Sequence, residues 1–172
     1  MVSDAFCLER APMRKNPVPK MEVRRAERKD IATLAQMRMA LLKEVGNVPS
    51  KADAKDLMAA IRRYFHRELR AGRYVGFIAT IRGQAVASGG LAFYARPPYQ
   101  GNLSGNEAYL MGMYTAVDWR RKGLGRRMLR EILAFAKARR VGRVCLHSEP
   151  GAMSLYDRAG FRPNDSYREL TW

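Results

Sequence analysis

RRKGLGRRML, residues 120–129, sets two glycines two positions apart and surrounds them with four arginines and a lysine. On its N-terminal side lies a strand-like run, AYLMGMYTA over 108–116. On its C-terminal side Leu124, Met128, Leu129, Ile132, Leu133 and Ala136 recur at helical spacing and predict a helix over 124–140. The stretch is therefore a turn from a strand into a helix. Such a turn leaves the first helical N–H groups without partners, and the helix dipole adds partial positive charge there. A pyrophosphate fits this place. Glycine at 123 and 125 removes the Cβ atoms that would hold a phosphate away from the backbone. Taken alone, the same letters also fit a glycine-softened helix start with solvated arginines, or a basic nucleic-acid patch.

Outward from this turn, the periodicities order the rest of the chain. Residues 1–20 hold three prolines and little periodicity, and read as an extended or poorly ordered arm; one domain is expected over 21–172. MEVRR (21–25) predicts a first strand. Asp30 reads as an N-cap, and Ile31, Leu34, Ala35, Leu41, Leu42 and Val45 form one helical face that Gly46 ends. A second helix is expected over 53–70, with Leu57, Ile61, Tyr64, Phe65 and Leu69 inward. YVGFIATIR (74–82), a turn at Gly83-Gln84 and a strand over 85–94 make a hairpin. The loop 95–107 is long for a compact domain, and long loops often carry function. RVCLH (143–147) reads as a short buried strand, 152–159 as a short helix ended by Gly160, and Phe161 with SYRELTW as closing strands. The pattern β-α-α-β-β-β-α-β-α-β describes an α+β chain with a mixed sheet.

Composition narrows the function classes. The net charge of +16 calls for an anionic partner or serves solubility. From 120 to 143 the chain carries ten basic residues against one acidic, Glu131. No run approaches the ~20 apolar residues of a membrane span. The N-terminus lacks the apolar run of a signal peptide, so a cytoplasmic location is expected. Two cysteines, Cys7 and Cys145, offer neither metal-ligand spacing nor a disulfide framework, and no metal is expected. Neither GxxxxGK[ST] nor a completed GxGxxG is present, which disfavours a P-loop ATPase and a dinucleotide fold.

Arg120-x-x-Gly123-x-Gly125 between strand and helix resembles the acyl-CoA signature of the GNAT N-acetyltransferase superfamily, R/Q-x-x-G-x-G/A. A second landmark agrees: Leu155-Tyr156-Asp157-Arg158-Ala159-Gly160-Phe161 resembles that family's LYxxxGF element. The strand Leu110–Thr115 is similar to its central strand. The likeness is clear over about 108–162 and consistent in element order over 21–95.

The resemblance implies the GNAT fold, a mixed central sheet flanked by helices in which the two central strands splay apart. It implies an acetyl-CoA-dependent N-acetyltransferase acting on a primary amine by direct attack. Arg120, Arg121, Lys122, Gly123, Leu124, Gly125 and Arg126 would hold the pyrophosphate. Met113 and Thr115 would offer backbone groups to the pantetheine arm, like an added strand. A backbone N–H at Met113 or Tyr114 would meet the thioester oxygen as it turns anionic. Tyr156 would protonate the leaving thiolate, since a phenol of pKa near ~10 is protonated at neutral pH. Glu107 is the expected base, directly or through a water, with Glu149 as a weaker candidate; His147 reads as structural. One departure stands out: many relatives carry Asn six residues before the tyrosine, where this chain has Pro150, and Ser154 would supply a substitute hydroxyl.

Two other classes compete. A GNAT-like fold could bind acyl-CoA without catalysis, as a sensor or scaffold. A basic nucleic-acid-binding domain would explain the charge, but not LYxxxGF behind the glycine turn, and nucleic acid is disfavoured as a partner. The acceptor, a small-molecule or peptide amine, would be set by 31–70 and 95–107, with Tyr94, Tyr99 and Tyr109 as candidate lining. The positive charge disfavours a polycationic acceptor unless Glu68, Glu107, Asp118 and Glu149 concentrate negative charge. A homodimer is compatible with this reading.

Overall fold

The computed structural model describes residues 20–48, 50–164 and 168–170. The expected N-terminal arm, apart from Lys20, lies outside these residues. Five strands form one sheet in sequence order: β1 (Met21–Arg25), β2 (Tyr74–Ile81), β3 (Gln84–Ala95), β4 (Asn106–Thr115) and β5 (Arg143–Cys145). Neighbours pair antiparallel except β4 and β5, which are parallel. The helices are α1 (Ile31–Glu44), α2 (Lys51–Arg70), α3 (Leu124–Ala138) and the short α4 (Met153–Asp157).

Period-two alternation gives the sheet two apolar faces. On one, Tyr74 and Ile78 pack with Leu34, Ala35, Met39 and Leu42 of α1 and with Ile61 and Phe65 of α2. On the other, Phe77, Ala79, Ile81, Val86, Leu91, Ala108 and Leu110 pack with Met128, Leu129, Ile132 and Ala136 of α3. Two helices therefore cover one face and α3 the other, holding β4 in the middle of the domain.

Three expectations are corrected. Asp30 precedes α1, but its carboxylate turns back: it accepts the Glu27 N–H at 2.8 Å and pairs with Arg24 at 2.6 Å instead of capping the helix. Strand β5 stops at Cys145, so Leu146 and His147 leave the sheet. The expected closing strands are absent among the described residues, since 161–164 and 168–170 form none; the rest of that segment lies outside them.

Two backbone features of β4 open the domain at its centre. Among the described residues the ladder with β5 holds three pairs, ending at Tyr109↔Cys145, and β4 runs on to Thr115 without a strand partner on that side. The ladder with β3 jumps from Gly90↔Met111 to Ser88↔Tyr114, which places one extra residue on β4. This bulge centres on Gly112, whose φ of +66° suits glycine. The Ser88 hydroxyl donates to the Gly112 carbonyl at 3.3 Å and secures it. A Cβ at Gly89 would strike the Met113 sulfur, so the glycine opposite the bulge lets that side chain tuck in toward α3.

Candidate active site

Where β4 and β5 part, an open cleft forms with a volume of about 1700 Å³. Ligand pockets commonly span ~300–1,000 Å³, so two substrates fit side by side. Its walls come from α1, the outer half of β4, the glycine turn, α3, residues 147–152 and α4.

The glycine turn forms one end. After β4 a 3₁₀ turn (Val117–Trp119) leads to Arg121, in the left-handed region at φ +61°, and to Gly123 at φ +80°, the N-cap of α3. Alternation into left-handed backbone turns successive N–H groups toward a common concavity. No side chain caps α3, so its first N–H groups are left to a ligand or solvent. Gly125 is informative in another way. A Cβ there would meet only Leu155 and Thr115 atoms at 3.8 Å, ordinary contact. The protein's own packing does not require glycine at 125, whereas close approach of a ligand would.

Eleven of the expected site residues line this one cleft: Met113, Tyr114, Thr115, Arg120, Arg121, Gly123, Leu124, Gly125, Arg126, Ser154 and Tyr156. Lys122 does not. Its ammonium donates to the Asp118 carbonyl at 2.8 Å and sits 4.9 Å over the Trp119 ring. Arg120 lines the cleft but is committed elsewhere: Nε donates to the Thr115 carbonyl at 2.8 Å, and Nη2 donates to both Glu44 oxygens at 2.8 and 2.6 Å. This guanidinium straps the turn to the end of β4 and to α1.

Tyr156, on α4, is buried and faces the cleft, edge-on to Phe161 with ring centres 5.8 Å apart. Burial pushes its phenol above the usual range, because the charged phenolate is disfavoured away from water.

Glu107 is not on the lining. It lies inside β4 rather than before it, is 1% exposed, and accepts from Arg143 Nη2 at 2.8 Å and from the Tyr99 hydroxyl at 3.0 Å. Burial works to raise its pKa, but hydrogen bonds from Arg143, Tyr94 and Tyr99 outweigh that and hold the carboxyl below its usual range. A carboxylate neutralised in this way is a weak proton acceptor, so the geometry argues against the expected base. Of the three tyrosines expected at the acceptor site, only Tyr109 lines the cleft; Tyr99 serves Glu107, and the Tyr94 hydroxyl contacts the Cys145 sulfur at 3.2 Å.

A pair that sequence reasoning passed over stands at the fork of the strands. The Tyr109 hydroxyl hydrogen-bonds His147 Nδ1 and accepts the His147 backbone N–H at 3.1 Å, and both side chains line the cleft. The register Tyr109↔Cys145 places the two residues on either side of the divergence. Alternation along RVCLH could not reveal this, because His147 has already left the strand.

The chain matches the family model described as Acetyltransferase (GNAT) family over residues 39–161. A predicted acetyltransferase of Clostridium acetobutylicum, solved with acetyl-CoA, is 31% identical; the match covers 88% of this chain and 96% of that one, with a TM-score of 0.79. A GCN5-related N-acetyltransferase of Ralstonia eutropha JMP134 matches at 22% identity, TM-score 0.78, over 88% and 99% of the two chains. No curated protein matches the sequence. Among the described residues no helix is long and apolar enough to cross a membrane.

Proposed function

The chain belongs to the acetyltransferase (GNAT) family, and from that membership we propose that it transfers an acetyl group from acetyl-CoA to a primary amine by direct attack. The observation that carries this reading is the unpaired outer half of β4, ending at the uncapped, glycine-lined start of α3 with Tyr156 across the gap.

In this reading the pyrophosphate rests on the N–H groups of residues 121–126, within the positive field of Arg121 and Arg126. The pantetheine arm pairs with the free edge of β4 at Met113–Thr115. The bulge at Gly112 breaks the regular ladder, which leaves backbone N–H at Met113 to meet the thioester oxygen as it becomes anionic. The amine attacks the carbonyl, the C–S bond breaks, and the Tyr156 hydroxyl gives its proton to the departing thiolate; its raised pKa keeps that proton in place across the neutral range. We give the base role to the Tyr109–His147 pair rather than to Glu107. Tyr109 takes the amine's proton as its own passes to His147 Nδ1, along the hydrogen bond already formed.

Two measurements test the reading. Acetyl-CoA at ~1 mM raises the Tm by binding only the folded state, and CoA thiol is released when an amine panel is added. Absence of any Tm shift overturns the proposal. A shift with no thiol release on any amine favours the acyl-CoA sensor instead.

A further inference from the structure

We propose that Arg38 is an anion-recognition point in the acceptor half of the cleft, so that the amine acetylated carries a carboxylate or a phosphate. This rests on the acetyl-transfer reading above and names the class of its acceptor.

Arg38, Leu41, Leu42 and Val45 of α1 all line the cleft, spaced as one face of a helix. The C-terminal end of that helix is tied to the donor's end of the cleft, because Glu44 holds Arg120 at the glycine turn. Arg38 lies six residues earlier, about 9 Å along the helix axis. Its charge acts on Tyr64 and Tyr74, and the Tyr64 hydroxyl reaches the Met111 sulfur at 3.7 Å. Arg38 therefore lies back along α1 from the glycine turn, on the lining of the cleft that also holds Met111.

The charges around Arg38 leave it in need of an anion. Arg38 is half-buried, yet among the described residues it makes no ion pair and no hydrogen bond. The buried carboxylates among the described residues are already taken: Asp30 by Arg24, Glu68 by Arg73, Glu107 by Arg143. Among the described residues two acids line the cleft, Glu44 and Glu149. Glu44 is taken by Arg120, and Glu149 lies beyond β5, on the segment leading to α4. A guanidinium withdrawn from water without a carboxylate partner is completed by a bound anion, which it can grip with two parallel hydrogen bonds. Leu41 and Leu42, on the same helix face, lower the local dielectric and strengthen that grip. Arg121 and Arg126 already serve the donor's end, so Arg38 is surplus to the donor. An acceptor with its anionic group on Arg38 would direct its amine toward Tyr109, which lines the same cleft. A polycation would instead face Arg38 with like charge.

The test is acetyl transfer to matched amines: amino acids against their amides, and phosphoethanolamine against ethanolamine. The expected result is a kcat/KM about tenfold or more higher for the anionic member of one pair, and the pair that shows it separates carboxylate from phosphate. Arg38→Gln lowers that anionic-to-neutral ratio about tenfold to a hundredfold, the worth of a charge-assisted hydrogen bond. Arg38→Lys keeps the charge and retains part of the preference. The Tm shift from acetyl-CoA persists in both variants, which shows that they fold. If neither pair shows a preference, or if none of the amines turns over while acetyl-CoA still raises the Tm, the proposal is overturned and the donor-binding reading survives. An unchanged ratio in Arg38→Gln overturns it as well. If acetyl-CoA gives wild-type protein no Tm shift, both readings fall together.

Discussion

In the proposed transfer, Tyr156 is the residue on which the chemistry turns. Its phenol is held protonated by burial, so as a proton donor it stays competent until the pH rises past the ordinary phenol value of ~10. Tyr156→Phe keeps the ring against Phe161 and removes the proton. We expect kcat to fall about a hundredfold or more, the usual weight of a general acid, while acetyl-CoA still raises the Tm. An unchanged kcat in a steady-state assay removes Tyr156 from the mechanism. The position of Tyr156 on the cleft was legible because the LYxxxGF element is local, seven consecutive residues. Glu107 shows the opposite case. Its place in the sequence suggests a loop base, but its state is set by Arg143, 36 residues on, and by Tyr99 across the loop. Arg120 was legible as part of a signature, yet its side chain answers to Glu44, 76 residues away. Neither partner can be read from spacing.

At the scale of elements, the start of α3 and the bulge in β4 form the cleft's frame. Helix and turn were readable from the 3.6-residue apolar repeat and the paired glycines. Gly112 within an apolar strand was also a signal, since glycine inside a strand often marks a bulge, though only pairing with β3 shows which residues it offsets. Gly125→Glu tests the cradle without disturbing the frame. Residue 125 is free of left-handed strain, and a Cβ there makes ordinary contacts. The expected outcome is a folded protein whose Tm no longer responds to acetyl-CoA, because a carboxylate now occupies the phosphate's place. Retained response in a thermal-shift titration would mean that the pyrophosphate binds elsewhere.

For the whole molecule, stability depends on charges that tie elements together. Glu68, near the end of α2, is buried between Arg67 and Arg73 and joins that helix to the entry of β2. Hydrogen bonds from Arg73 and Arg67 lower its pKa from 4.5 to about 2. A carboxyl depressed in the folded state stabilises above its unfolded pKa, and that contribution is lost as pH falls from about 4.5 toward about 2. Glu68→Gln should therefore lower the Tm at neutral pH and flatten its decline across that acid window; parallel Tm–pH curves for the two proteins would exclude this role. The +16 charge reaches the site as well, since the cleft draws basic residues from α1, the turn, α3 and, just after α4, Arg158. What the sequence determined by itself was local: element order, the apolar faces, the glycine turn and the tyrosine element, because periodicity and turn chemistry act between near neighbours. What only the tertiary structure decided was pairing at a distance. The parting of β4 from β5, the Tyr109–His147 contact, the burial of Glu107 and the isolation of Arg38 each depend on packing that brings far parts of the chain together.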